Sequence, residues 1–254
     1  MMELAVVGYS LTLARVAVVV GLTPIFGSGQ VPRLARIGLA VALAWLWWQI
    51  PGDELALQIC RRAAENAWWW VLLVGREMLV GFGLALAVRL VLVPARIAGE
   101  FVAQEMMLGF AASTSPASEA PGSLLGQLFE LSALALFFGL DGHHLVLALM
   151  HAGWTYWPVG SWNVLPSVDW LSALRMVMHS GVRLALPVVA CLFFLAVALA
   201  LWSRAAPSLN LFSLGFVVRV LGGLAAMYLF WPVLLVGLNQ TMHQVSIWLA
   251  GYGR

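Results

Sequence analysis

The chain has 254 residues, 63% of them hydrophobic and 9% charged, with a formal charge of +2. A soluble domain carries about a quarter charged residues. The composition therefore excludes an ordinary cytosolic domain, a disordered chain and a disulfide-stapled secreted module, and so small a charge gives no footing for nucleic-acid binding.

All 13 basic residues are Arg. A guanidinium keeps its charge where a partly buried ammonium tends to lose its proton, which suits a membrane-embedded or membrane-assembled protein. The start, Met1-Met2-Glu3, lacks a basic n-region and an Ala-x-Ala site, so it reads as a retained first span. Apolar stretches follow at about 4–22, 34–50, 67–93, 124–150, 174–202 and 214–238. Runs of this kind are compared with the ~30 Å hydrocarbon thickness of a bilayer. Between or beside them stand Pro24 and Pro32, Pro51-Gly52, Pro94, Pro116 and Pro121-Gly122, then Pro158, Pro166 and Pro207. Each Pro removes a backbone donor and disfavours helix in the residue before it. The expected fold is all-α: about six apolar, membrane-associated helical stretches forming hairpins in a single domain over 1–254. No alternating strand pattern of the outer-membrane type is present.

Trp45, Trp47 and Trp48 close the second stretch and Trp68, Trp69 and Trp70 open the third, around a polar hairpin. Rings with one N–H donor suit the headgroup level, and packing between helices is the competing account. Charges interrupt the stretches: Arg15, Arg76, Glu77, Arg89, Glu130, Arg183 and Arg219. A central charge costs about 2.5–3.5 kcal/mol on insertion scales, so the set needs ion pairs, water or neighbouring subunits. Arg33, Arg36, Arg96 and Arg204 stand against Arg61, Arg62 and Arg175 across alternate connections, which leaves orientation open. Cys60 and Cys191 read as inert buried thiols.

No phosphate-binding loop, dinucleotide fingerprint, nucleophile elbow or zincin helix occurs in the sequence. Asp141-Gly142-His143-His144 with His151 is the most enzyme-like cluster. His144 and His151 share a helical face, but no third ligand is marked, so no metal, cofactor or catalytic residue is expected. Met106, Met107, Leu108 and Phe110 precede the small-residue run Ala111 to Ser115. Flexible, polarisable Met can seal an irregular aperture and still yield, and ordinary helix-end packing explains the same residues.

Several of these residues together resemble the FliR/SctT family of type III secretion export-apparatus proteins. Arg15, Pro24, Val31-Pro32 and Arg36 are similar to its early segment. Glu77 with Gly81, then Ala98-Gly99-Glu100, Gln104, Gly109 and Pro116 resemble its middle. Gly142-His143 and Pro158-Val159-Gly160 follow, and the sharpest likeness runs through Arg204, Pro207, Leu209-Asn210, Phe212 and Gly215-Phe216. The resemblance implies an export-gate subunit in the bacterial inner membrane, of a flagellar basal body or an injectisome, largely lifted toward the periplasm. It also implies FliP-like and FliQ-like partners, a FlhB-like protein at the base, contact with membrane lipid, and unfolded proteins as cargo. By position, Met106, Met107, Leu108 and Phe110 become candidates for a plug that closes the pore. Pro32, Arg36, Glu100, Pro207, Asn210, Phe212, Gly215 and Phe216 become candidates for hairpin and subunit contacts, with Asn210 as a helix cap and Gly215 permitting close helix approach. Two other classes compete: a small-solute secondary transporter built around Arg76, Glu77 and Arg89, and a membrane enzyme using the three histidines.

Overall fold

Helices account for nearly all of the described chain. The computed structural model describes residues 2–23, 31–49, 58, 61–63, 65–108, 123–159, 170–205 and 211–251. In order these form α1 (Met2–Leu22), α2 (Arg33–Trp48), α3 (Ala67–Glu105), α4 (Leu124–Gly139), α5 (Gly142–Tyr156), α6 (Trp170–Ala205) and α7 (Leu211–Gly251). No strand occurs among the described residues.

The apolar stretches are helical as expected, but their lengths differ from a row of equal spans. By length and composition α1, α3, α6 and α7 can cross a membrane. At 39, 36 and 41 residues, α3, α6 and α7 run to roughly 54–62 Å at ~1.5 Å per residue, nearly twice the hydrocarbon thickness. The second stretch gives only a 16-residue helix, about 24 Å long. The fourth stretch is two helices, because Asp141 turns left-handed (φ 56°) between α4 and α5.

Pro94 does not end its helix. It lies inside α3, as Pro187 lies inside α6 and Pro232 inside α7. Each costs one ladder hydrogen bond, and an apolar helix continues because nothing outside it satisfies its backbone better. Close packing is also available at Pro94: an added Cβ on Gly181 of α6 would stand 3.2 Å from the Pro94 carbonyl and 2.7 Å from Ile97.

Two compact units divide the chain: Met1–Arg89, Asp141–Val168 and Trp248–Arg254 form one, and Leu90–Leu140 with Asp169–Ile247 form the other. In the first, α1 packs along α2, with Tyr9 edge-on to Trp45 and Trp48 at 6.3 Å each. Leu11 and Leu73 are buried against Val7, Val74 and Val159. The tryptophans split between the two accounts given above. Trp47 is buried and stacks on Trp154 at 5.3 Å, whereas Trp45 and Trp68 face outward.

In the second unit Val102, Met106, Phe129, Val177 and Leu192 are buried, while Phe193, Phe194, Leu201, Tyr228 and Leu229 are exposed. Cys191 is exposed as well, which corrects the expectation of a buried thiol. It sits on α6 three residues before Phe194, on an apolar surface exposed among the described residues. Cys60 lies outside the described residues.

Candidate functional site

The charges inside α1 and α3 resolve into one buried cluster. Glu77 and Gly81 are four apart on α3, hence on one helical face, and that face meets α1 at Arg15. The Gly81 position brings the backbones together: a Cβ there would lie 2.5 Å from the Arg15 carbonyl oxygen. The Arg15 side chain can then reach Glu77, its Nε donating to Oε2 at 2.7 Å with Nη2 at 2.5 Å from the same oxygen. Both side chains are fully buried. The other carboxylate oxygen accepts from Arg76 Nη1 at 2.5 Å.

The remaining Arg15 donors go to the end of α5. Nη1 donates to the Gly153 carbonyl at 3.1 Å and Nη2 to the Trp157 carbonyl at 2.9 Å. The Gly153 carbonyl also accepts from the Trp157 N–H at 3.2 Å, so Arg15 adds a second donor there and supplies one to the Trp157 carbonyl just past the helix end, where a cation is favoured by the dipole. The guanidinium carbon lies 4.7 Å above the Trp154 ring, and Trp154 in turn stacks on Trp47 of α2. One arginine thus ties α1, α3 and α5 directly and α2 through two indoles. Arg15 and Glu77 are legible in the sequence as motif residues. Their pairing, across 62 positions, is not.

Arg89 takes another route and donates from Nε to the Leu22 carbonyl at 2.8 Å, at the end of α1. It follows Glu77 by roughly 18 Å along α3. Arg76, Glu77 and Arg89, the charges named for a solute site, are therefore not gathered in one place. Arg96 pairs with Glu130 at 3.4 Å, half-exposed, a geometry that contributes little.

Three of the contact candidates, Pro32, Arg36 and Glu100, close helix starts within this chain. Pro32 is the residue before α2; its carbonyl accepts from the Arg36 N–H at 3.2 Å, and Arg36 Nη2 donates to the Val31 carbonyl at 3.1 Å. The Val-Pro…Arg pattern is thus a self-closed helix start. Glu100 closes the α3–α4 hairpin: its Oε1 accepts from the Ser123 N–H at 2.9 Å, and Ser123 Oγ accepts from the Gly126 N–H at 2.9 Å. A carboxylate at a helix N-terminus is favoured by charge as well as by hydrogen bonding. Gly99 and Gly126 let the helices touch there, since a Cβ on Gly99 would lie 2.6 Å from the Leu125 carbonyl oxygen and one on Gly126 would meet the Glu100 carboxylate.

Met106, Met107 and Leu108 end α3 in a turn. Met106 is fully buried and seats against α7 at Gly223, where a Cβ would come within 2.5–2.7 Å of its Cγ, Sδ and Cε. Met107 is left-handed (φ 61°) with its N–H on the Gln104 carbonyl at 2.9 Å, a helix-ending conformation usually given to Gly. Met107 and Leu108 are half-buried. The sequence signal for this seat is Gly222-Gly223 inside a bulky helix.

Phe110, Pro207 and Asn210 lie outside the described residues, as do Gly109, Pro116 and Gly160. Phe212 lies in the first turn of α7. A Cβ on Gly215 meets nothing within 4 Å, so no close approach occurs there among the described residues of this chain; Phe216 is exposed. Asp141, His143 and His144 bring ligand atoms within 4.8 Å of one another, with Asp141 Oδ1 3.9–4.0 Å from the two imidazoles. His151, the partner named for His144, is not part of that group.

Residues 6–245 match the model of the bacterial export proteins, family 1. The chain is 27% identical to flagellar biosynthetic protein FliR of Escherichia coli (strain K12), covering 89% of this chain and 85% of that one. It is 26% identical to flagellar biosynthetic protein FliR of Bacillus subtilis (strain 168), over 84% and 81%. With Yop proteins translocation protein T of Yersinia pestis it shares 23% identity over 73% and 70% of the two chains.

Proposed function

This chain belongs to family 1 of the bacterial export proteins, and from that membership we propose that it is a subunit of a type III secretion export gate. The carrying observation is the match itself: it covers residues 6–245 and therefore parts of both compact units, and the similar proteins are named for flagellar biosynthesis and for Yop translocation. In this reading the chain joins FliP-like and FliQ-like subunits around a pore of the inner membrane, largely lifted toward the periplasm. A FlhB-like protein sits at its base and unfolded proteins pass through. Helices of 36–41 residues outrun a bilayer, and their exposed apolar faces need lipid or other helices as cover; both features favour the assembly.

The role is mechanical, and no side chain is assigned a catalytic step. Arg15 and Glu77 hold the first unit rigid. Glu100 and Ser123 fix the hairpin from which residues 109–122 depart. Met106, locked against Gly223, anchors a closing segment in which Met107, Leu108 and Phe110 supply the seal, an apolar constriction that excludes water and ions by dewetting. The test is co-expression with FliP-like and FliQ-like partners followed by size measurement of the solubilised protein. The reading expects one particle containing all three chains; a monodisperse monomer in the presence of both partners overturns it.

A further inference from the structure

The second unit carries a cationic groove that none of the roles above uses. Arg175, His179 and Arg183 follow one another at i, i+4 and i+8 on α6, and all three line a cavity of about 720 Å³ between α6 and α7. Across it α7 contributes Gln240, Thr241 and Gln244. No carboxylate is among the described lining residues. The Thr241 hydroxyl is committed to the Gly237 carbonyl at 2.9 Å, while Arg175, His179, Arg183, Gln240 and Gln244 have no side-chain partner among the described residues. Two guanidinium forks and two amides therefore present donors to one space, and no anion among the described residues answers them. Two unanswered guanidiniums in so apolar a chain are costly.

The same face of α6 continues past Arg183 through Leu186 and Phe193, both exposed, at the three- and four-residue spacings that keep one stripe. Val236 and Leu229 of α7 are exposed as well. From His179 to Phe193 the stripe runs roughly 21 Å, longer than half the ~30 Å hydrocarbon thickness. Trp170, partly exposed at the start of α6, stands where an indole marks the headgroup level. A cationic, donor-rich head with an apolar track below it matches a molecule that is anionic at one end and aliphatic along the rest.

We propose that the α6–α7 groove binds an anionic phospholipid, its phosphate held by Arg175 and Arg183 with the Gln240 and Gln244 amides, and its acyl chain lying along Leu186 and Phe193. Basic pockets between membrane helices recognise such headgroups through the same chemistry. An acidic helix of a partner subunit could meet the cations, but it would have no use for the aliphatic track. The assignment needs only a membrane protein and is independent of the gate reading.

The test is native mass spectrometry of the full chain, purified with its partner subunits, titrated with phosphatidylglycerol, with phosphatidylcholine and with inorganic phosphate. Phosphatidylglycerol is expected to bind in preference to phosphatidylcholine. The exposed double variant Arg175→Gln/Arg183→Gln is expected to weaken phosphatidylglycerol roughly thirtyfold, and Arg204→Gln, outside the lining, to leave it unchanged. Gln240→Leu/Gln244→Leu, which keeps both charges, is expected to weaken it less. Equal retention of the two lipids, or full retention in the double variant, overturns the proposal. Competition by inorganic phosphate at the same occupancy assigns the groove to a free anion instead. Loss of a partner subunit from the double variant, with lipid binding unchanged, assigns it to a protein carboxylate.

Discussion

Replacing Glu77 by Gln leaves the shape of the buried cluster nearly intact and removes its only carboxylate. Arg15 then keeps two carbonyl acceptors, Gly153 and Trp157, but no anion, and Arg76 loses the same partner. Both members of the Arg15–Glu77 pair are fully buried, so solvent screening does not soften the loss. Breaking a buried pair from one side costs about 3–5 kcal/mol, which for a chain of this size lowers Tm by roughly 6–20 °C. Removing both charges together, Arg15→Met with Glu77→Met, leaves no orphaned guanidinium at that position and is expected to lie closer to wild type than Glu77→Gln does. The assay is thermal unfolding of the solubilised complex, with both single variants and the double variant closing a cycle. A Glu77→Gln complex that melts with wild type refutes the reasoning, as does a double variant less stable than both single ones.

Gly99→Ala places a Cβ 2.6 Å from the Leu125 carbonyl oxygen; backbone cannot yield as a side chain can, so overpacking of about 1–3 kcal/mol outweighs the ~1 kcal/mol gained in helix propensity, and Tm falls. Gly215→Ala meets open space and is expected to keep or raise the stability of this chain by up to about 1 kcal/mol, while lowering recovery of partner subunits if that face is an interface; equal recovery removes Gly215 from the contact. Glu100→Ala frees the Ser123 N–H at the α4 start and is expected to cost about 1–2 kcal/mol, read as faster proteolysis at the α4 start. Leu108→Gly with Phe110→Gly is expected to raise ion leakage in cells with assembly unchanged, whereas Met106→Ala, at a buried seat, is expected to lose about 2–4 kcal/mol and show reduced assembly; an assembled Leu108/Phe110 variant as tight as wild type rules out the seal.

Helix existence was readable because long apolar runs leave few alternatives. Helix ends were less so. Pro94 looks like a stop in sequence, yet α3 runs through it, since the lost hydrogen bond is small beside the packing that Gly181 allows. Conversely, 124–150 reads as one run because the polar break Asp141–His144 is short and set between Leu140 and Leu145, and only the left-handed backbone at Asp141 reveals two helices. The cluster residues were visible singly: Arg15, Glu77 and Gly81 each stand out in an apolar stretch. That Glu77 and Gly81 serve the same neighbour, one by charge and one by lacking a side chain, depends on contacts far apart in sequence. The Arg175–His179–Arg183 face is within reach of periodicity, but in sequence Arg175 and Arg183 stand out only as single charges, and the facing amides of α7 become visible only when the helices are paired.

In the proposed gate, unfolded cargo passes this chain at the end of α3. A photo-crosslinking amino acid placed at Leu108, in cells carrying an export substrate stalled by a folded C-terminal plug, tests it directly. The account predicts a crosslink from position 108 to the stalled substrate and none from position 68, where Trp68 is 79% exposed on the first unit. Crosslinks from position 68 with none from 108, in a fully assembled complex, would contradict it.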